Sequence, residues 1–288
     1  MRRLIVRALV ALTLVVSTLV AVALVRTAAV DVDSLAKRDP ERSALMRQRE
    51  REARASGKRY RERHRPVRLD RVSPTLRAAV LVAEDDKFFA HEGFDWAGIR
   101  EAARRNLRTR KVVRGGSTIT QQLAKNLWLG TARTPWRKFE EMILAYRLER
   151  ALPKRRILEL YLNTIEWGDG VYGIEAAARH WYGVGAGALD ARQSLGLAAI
   201  VINPRRYSPT DPAPRIERRI RTFASRLRRR GAISEAEYRA VVGLPPEAPA
   251  PAVDSTLFGP GDLAPAPDAV PEAAPSETAP PDSAAAPA

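Results

Sequence analysis

Residues 83–95 read AEDDKFFAHEGFD and residues 115–126 read GGSTITQQLAKN. The first segment sets Glu84, Asp85 and Asp86 directly after Leu81-Val82-Ala83. On a helix Glu84 falls beside Val80 and Phe88, at i−4 and i+4. Apolar neighbours disfavour an ionised carboxylate, raise its pKa and fit it for general-base work. Ordinary solvated acids at a helix end are the bland alternative. Phe88, Phe89, His91 and Gly93, which follow, instead suggest the wall of a shaped cleft.

In the second segment Gly115-Gly116-Ser117-Thr118 is a turn feeding a helix start. Free N–H groups and two hydroxyls there favour an anion such as phosphate. Gln121, Gln122, Lys125 and Asn126 follow, and positions 118, 122 and 125 share one helical face. A capped helix with a polar surface is the plainer alternative, but amides this dense beside a lysine favour a binding surface. It is not a P-loop, because GxxxxGK[ST] does not occur. Arg137, Lys138 and Glu141 form a third cluster, with Arg137 and Glu141 at i, i+4. It reads either as a surface ion pair or as a carboxylate orienting cations around a leaving phosphate. In RILELYLN, residues 156–163, the apolar positions pack, and Glu159 and Asn163 are expected to tie loops together.

These segments need a folded body to position them, and the pattern from 67 to 243 is strongly helical. Ser73-Pro74 reads as an N-cap followed by proline at the first helical position. Helices are expected over 136–152, stopped by Pro153, and over segments closed by Gly183 and Gly243. Alternating strand patterns are scarce, so the fold class is mainly α. Hydrophobic residues make up 45% of the 288, enough to bury a core.

Ala8 to Val25 is an uncharged run of eighteen residues preceded by Arg2, Arg3 and Arg7. Extended back to Leu4, it reaches the length of a membrane span. A retained anchor and a signal cleaved near Ala21-Val22-Ala23 both fit, and the length favours the anchor. The positive flank stays in the cytoplasm and the bulk is exported. The formal charge of +16 asks for an anionic partner, and export excludes nucleic acid. Residues 1–30 are therefore expected to be the cytoplasmic N-terminus and transmembrane anchor. Residues 31–66 are expected to be a basic juxtamembrane stalk, either drawn to anionic headgroups or a plain spacer. Residues 244–288 hold 12 of the 21 prolines and seven acids without Lys or Arg, and are expected to be disordered. There are no cysteines, and His64, His91 and His180 are too dispersed for a zinc site, so no metal site is expected.

Taken together, the segments resemble the five motifs of the family-51 peptidoglycan glycosyltransferases. EDDKFFAHEGFD, GGSTITQQLAKN, RKFEE, RILELYLN and EWGDGVYGIEAAARHWYG occur in the family's order. The likeness covers about residues 67–207, and the fifth motif is closest to the monofunctional members. It implies a lysozyme-like domain with a small membrane-facing jaw lobe, behind one transmembrane helix in the inner membrane, with the catalytic part periplasmic. It implies polymerisation of lipid II into β-1,4-linked glycan by inversion, releasing undecaprenyl pyrophosphate. By this likeness Glu84 is the general base and Glu141 the second carboxylate. Lys125, Arg137 and Lys138 would meet the pyrophosphate, with Arg133 aligned less securely. Asp85, Phe88, His91, Ser117, Thr118, Gln121, Gln122 and Asn126 would line the cleft. The partners implied are lipid II, the growing glycan chain, the membrane, and proteins of cell-wall synthesis or division. A divalent cation, Mg2+ or Mn2+, assists some members, though no motif here requires one. A transpeptidase partner domain is not expected, since no KTG element occurs. The rival readings are a glycan-cleaving enzyme, which also uses a buried glutamate, and an inactive scaffold.

Overall fold

The computed structural model describes residues 1–109, 116–132 and 134–246. Helix α1 (Arg2–Ala28) is the apolar N-terminal helix. Its stretch Ile5–Ala28 has a mean hydropathy of 2.7 and is long and apolar enough to cross a membrane. Leu9, Val10, Leu12, Leu14 and Val15 all lie exposed along it. Its end is not free: Arg26 pairs with Glu140 at 3.3 Å, and Arg147 donates to the carbonyl of Thr27.

The stretch 31–66, expected to be a stalk outside the domain, is packed onto it. Val32 and Leu35 enter the main core. Helix α2 (Ala44–Ala55) buries Leu45 and Met46 against Tyr172. Strand β1 (Arg63–His64) is one of two outer strands in a small sheet. The reason is arithmetic of burial: four apolar side chains spread among many arginines leave little periodicity, yet each reaches the core. The charges pair outward, as Arg42 does with Glu50 at 2.8 Å and Glu62 at 2.7 Å.

Helix α3 (Pro74–Glu84) begins as its sequence suggests, with Ser73 accepting from the N–H of Leu76. Its buried face, Leu76, Ala79 and Val80, meets two later helices, α9 and α10, defined below. Helix α4 (Trp96–Thr109) leaves Trp96 and Leu107 exposed. Helix α5 (Ile119–Ala124) runs into a wider π-helical turn, Lys125–Leu129. Helix α6 (Pro135–Ala151) and helix α7 (Lys154–Thr164) flank α5 and are separated by Pro153. Strands β2 (Glu166–Gly168) and β3 (Val171–Tyr172) form a short hairpin; β1 joins β3 in parallel, giving the order β1-β3-β2. Helices α8 (Ile174–Tyr182), α9 (Ala191–Ile200), α10 (Pro214–Arg229) and α11 (Glu235–Val242) complete a mainly α body. Gly183 and Gly243 end α8 and α11 in the left-handed conformation that favours glycine. Of the Pro/Ala-rich tail, residues 247–288 lie outside the described residues.

The fourth motif braces this body. Asn163, 3% exposed, accepts from Val67 N–H at 3.1 Å and donates to Val67 carbonyl at 2.8 Å. Glu159 accepts from the Leu69 N–H at 2.7 Å. Asn163→Ala leaves two backbone groups of Val67 without partners and should cost about 2–3 kcal/mol. A fall in thermal unfolding temperature of the solubilised chain checks this, and an unchanged melt would refute it.

Candidate active site

Glu84 is the last residue of α3, not a mid-helix residue. The chain leaves the helix at Asp85, so Phe88 does not stand one turn above Glu84. Phe88 lies in the core instead, 1% exposed, with the Lys154 ammonium 4.4 Å from its ring centre. Asp85 explains the turn. Its carboxylate accepts from the N–H of Ile119 at 3.0 Å and contacts His91 Nε2 at 2.9 Å. Asp85 and His91 therefore pin the end of α3 to the start of α5.

A capping box at the start of α5 adds to that pin. Thr118 Oγ1 accepts from Gln121 N–H, and Gln121 Oε1 accepts from Thr118 N–H at 3.1 Å. Thr118 also donates its hydroxyl to Gly93 carbonyl at 2.7 Å. The N–H groups of Thr118, Ile119 and Gln121 are thus held by the protein's own side chains. Gln121 is a capping residue, and Asn126 is buried.

Glu84, Ser117 and Thr118 line a cleft of about 290 Å³ between α3, α4 and the segment before α5. Gln122 and Lys125 reach Glu84 from α5 and the π turn. Gln122 Nε2 donates to Glu84 Oε2 at 3.1 Å, and Tyr161 donates its hydroxyl to Gln122 Oε1 at 3.2 Å. Burial pushes the Glu84 carboxyl above the usual carboxylate range. The Gln122 N–H and the charges of Arg219 and Lys125 pull it back part of the way, while Asp85 adds to the rise.

Lys125 feels the charge of both carboxylates. Burial lowers its ammonium pKa, Glu141 and Glu84 both resist that, and Arg137 and Lys138 reinforce it. Glu141, 2% exposed, accepts from Arg137 at 2.6 Å and from Lys138 at 2.5 Å. Lys138 also donates to Ser117 Oγ at 3.0 Å, tying α6 to the cleft rim. Arg133 lies outside the described residues.

Two contributors escaped the sequence reading. Arg219 on α10 donates to the Ala199 carbonyl at 3.1 Å and lies over Phe223. The signal was present: Arg219 occupies the buried stripe Ile216, Ile220, Phe223 and Leu227, three positions after Ile216. Arg230 forks onto Asp86, at 2.6 Å for one contact, and holds the Asp86 carboxyl below its usual range. Asp86 is therefore the ionised, exposed member of the run, and Glu84 is the basic one.

This arrangement can take a proton at Glu84 and meet negative charge with Lys125, Arg137 and Lys138. The transglycosylase family model matches residues 50–228, more than half of the chain. The chain belongs to the transglycosylase family. It is a glycosyltransferase enzyme with a lysozyme-like fold. It is similar to the biosynthetic peptidoglycan transglycosylase of Methylobacillus flagellatus, 52% identical over 166 residues, covering 58% of this chain and 72% of the relative. The protein of that name from Nitrosospira multiformis is 43% identical over 189 residues, covering 66% of this chain and 82% of its own length. The match of the transglycosylase model from residue 50 agrees with the packing of α2 onto the body.

The Tyr161–Gln122–Glu84 relay gives this transglycosylase a testable signature. Tyr161→Phe frees the Gln122 amide to turn its oxygen towards Glu84. Without a fixed N–H donor the Glu84 pKa rises further, so the acid limb of kcat/KM should move to higher pH. A merely structural tyrosine would lower stability by about 1 kcal/mol and leave the limb in place.

Proposed function

We propose that this transglycosylase polymerises lipid II into β-1,4-linked glycan. Glu84 takes the proton from the 4-hydroxyl of the acceptor sugar. The freed oxygen bonds to C1 of the growing chain as the C1–O bond to pyrophosphate breaks. Undecaprenyl pyrophosphate leaves with the electron pair, and attack from the opposite face turns the α donor into a β product. Lys125, with Arg137 and Lys138 held by Glu141, meets the charge that develops on the leaving group. The observation that carries this reading is a basic, desolvated glutamate beside a lysine that feels both carboxylates. Among the described residues no three His, Asp or Glu gather as a metal site. Asp85, Asp86 and Glu141 have protein partners, and this reading runs no step through Mg2+ or Mn2+.

The reading also places α1 in the inner membrane with the body on its periplasmic face, supported by the arginines before the apolar run. The test is consumption of lipid II by the purified, detergent-solubilised chain. Polymer with release of undecaprenyl pyrophosphate supports the reading. Shortening of added glycan without lipid II consumption would assign the site to a glycan-cleaving enzyme, and neither product would leave a scaffold.

A further inference from the structure

A second and larger pocket lies away from the catalytic cleft. It encloses about 560 Å³ between the C-terminal half of α2, residues 58–63 and the β2–β3 turn. Cations dominate its lining. The two carboxylates in it are already matched: Glu52 with Arg49 at 2.8 Å, and Asp169 with Arg205 at 3.0 Å. Arg49 is also held from beneath by the buried Glu166 at 3.1 Å. Lys58, Arg59 and Arg61 are exposed, and their side chains have no polar partner among the described residues.

The pocket is a built feature. Gly170 has φ +72, and a Cβ there would come within 2.4 Å of the Arg61 carbonyl. Its own carbonyl accepts from Arg63 N–H at 2.8 Å. The glycine thus lets the hairpin turn close directly under the cationic segment. Tyr60, which lines the pocket, is fixed by a 3.0 Å contact between its hydroxyl and that of Tyr172. Guanidinium groups in a concave wall suit planar, bidentate oxyanions.

The pocket is also rigidly joined to the cleft. Helix α2 packs on the Lys125–Leu129 turn. Gln48 on α2 bonds Thr131 twice, accepting from its N–H at 2.9 Å and donating to its hydroxyl at 2.5 Å. The cleft, at about 290 Å³, is at the small end for one drug-sized ligand, so most of any polymer lies outside it.

We propose that this second pocket binds the carboxylates of peptide side chains on the glycan strand. The proposal rests on the polymerase reading above, since a peptidoglycan strand is a glycan bearing peptides, and an unmodified peptide ends in a carboxylate. A concave, guanidinium-walled pocket fixed to the cleft fits a discrete group on a strand better than a flat headgroup surface. Binding there would retain the product strand beside the site that extends it.

The test is direct binding of purified glycan strands to the full, detergent-solubilised chain, with no lipid II present. Strands carrying peptides are compared with the same strands stripped of peptides by an amidase. The proteins are wild type and Arg59→Glu/Arg61→Glu, with Arg59→Lys/Arg61→Lys as the charge-keeping variant. Melting curves establish that each variant is folded. The expected result is at least tenfold weaker binding of peptide-bearing strands by the charge-reversed protein, partial recovery with lysines, which keep the charge but lose the bidentate fork, and weak, equal binding of stripped strands throughout. Equal binding of stripped and peptide-bearing strands by wild type overturns the proposal. So does charge reversal that weakens binding to anionic-lipid vesicles or inorganic phosphate while leaving peptide-bearing strands unaffected. Lipid II consumption is scored separately. Peptide-dependent binding without polymer would sink the polymerase reading alone, and polymer without peptide dependence would sink the pocket alone.

Discussion

Glu84→Gln should lower kcat/KM for lipid II polymerisation by about a thousandfold, within the range of a lost general base, without lowering stability. The second half distinguishes this residue from a structural one. Burial raises the Glu84 pKa in the folded chain. Below the unfolded value both states carry the proton and Glu84 has no effect. As pH rises from there to the folded value, the unfolded chain loses its proton first, so stability falls. Above the folded value the protein carries that cost in full. Glutamine never ionises and still accepts from Gln122, so the variant should melt at or above the wild-type temperature at pH 7, with the gain fading towards pH 4. Unimpaired polymerisation, or a lower melt at pH 7, would remove Glu84 from the role of base. In the wild type the same raised pKa sets the acid limb of kcat/KM above the ordinary glutamate range.

Glu141→Gln should also cost activity, by about a hundredfold, but through different physics. Glu141 binds two cations from inside the protein, with its side chain 3% exposed, Arg137 16% and Lys138 40%. Removing its charge leaves Arg137 uncompensated and leaves Lys138 held by Ser117 alone. A fully buried pair broken in this way costs about 3–5 kcal/mol. The solvent at Lys138 reduces that, so about 1–3 kcal/mol of stability should be lost. The kinetic loss should fall on kcat, because the cations act on charge that develops as the pyrophosphate leaves. The two substitutions are therefore separable on one melting curve: Glu84→Gln holds or gains stability, and Glu141→Gln loses it. A Glu141→Gln protein with wild-type kcat would mean that these cations do not serve the leaving group.

What the sequence made legible was local. Ser73-Pro74, Pro153, Gly183 and Gly243 mark helix ends because caps, proline and left-handed glycine act over one turn. The Arg137–Glu141 pair was readable for the same reason. Partners distant along the chain were not. The N–H of Ile119 looked available to an anion until Asp85, 34 positions earlier, was found occupying it. Tyr161 acts on Glu84 only through the Gln122 amide, and Arg219 only through the packing of α10 on α3. The stretch 31–66 reads as solvated charge because its four core side chains are diluted by arginines. The place of β1 beside β3 depends on residues more than one hundred positions later, as Arg63 pairs with Val171.

Arg26 and the Thr27 carbonyl engage Glu140 and Arg147, both on α6, the helix that presents Glu141. A leash would transmit nothing but distance. A helix docked in this way also transmits rotation, at about 100° per residue. Adding or removing one residue just before Arg26 would swing that pairing away from Glu140 or turn the whole apolar segment against the catalytic helix. The end of α1 thus sets the phase of that helix, and not only its length, against α6.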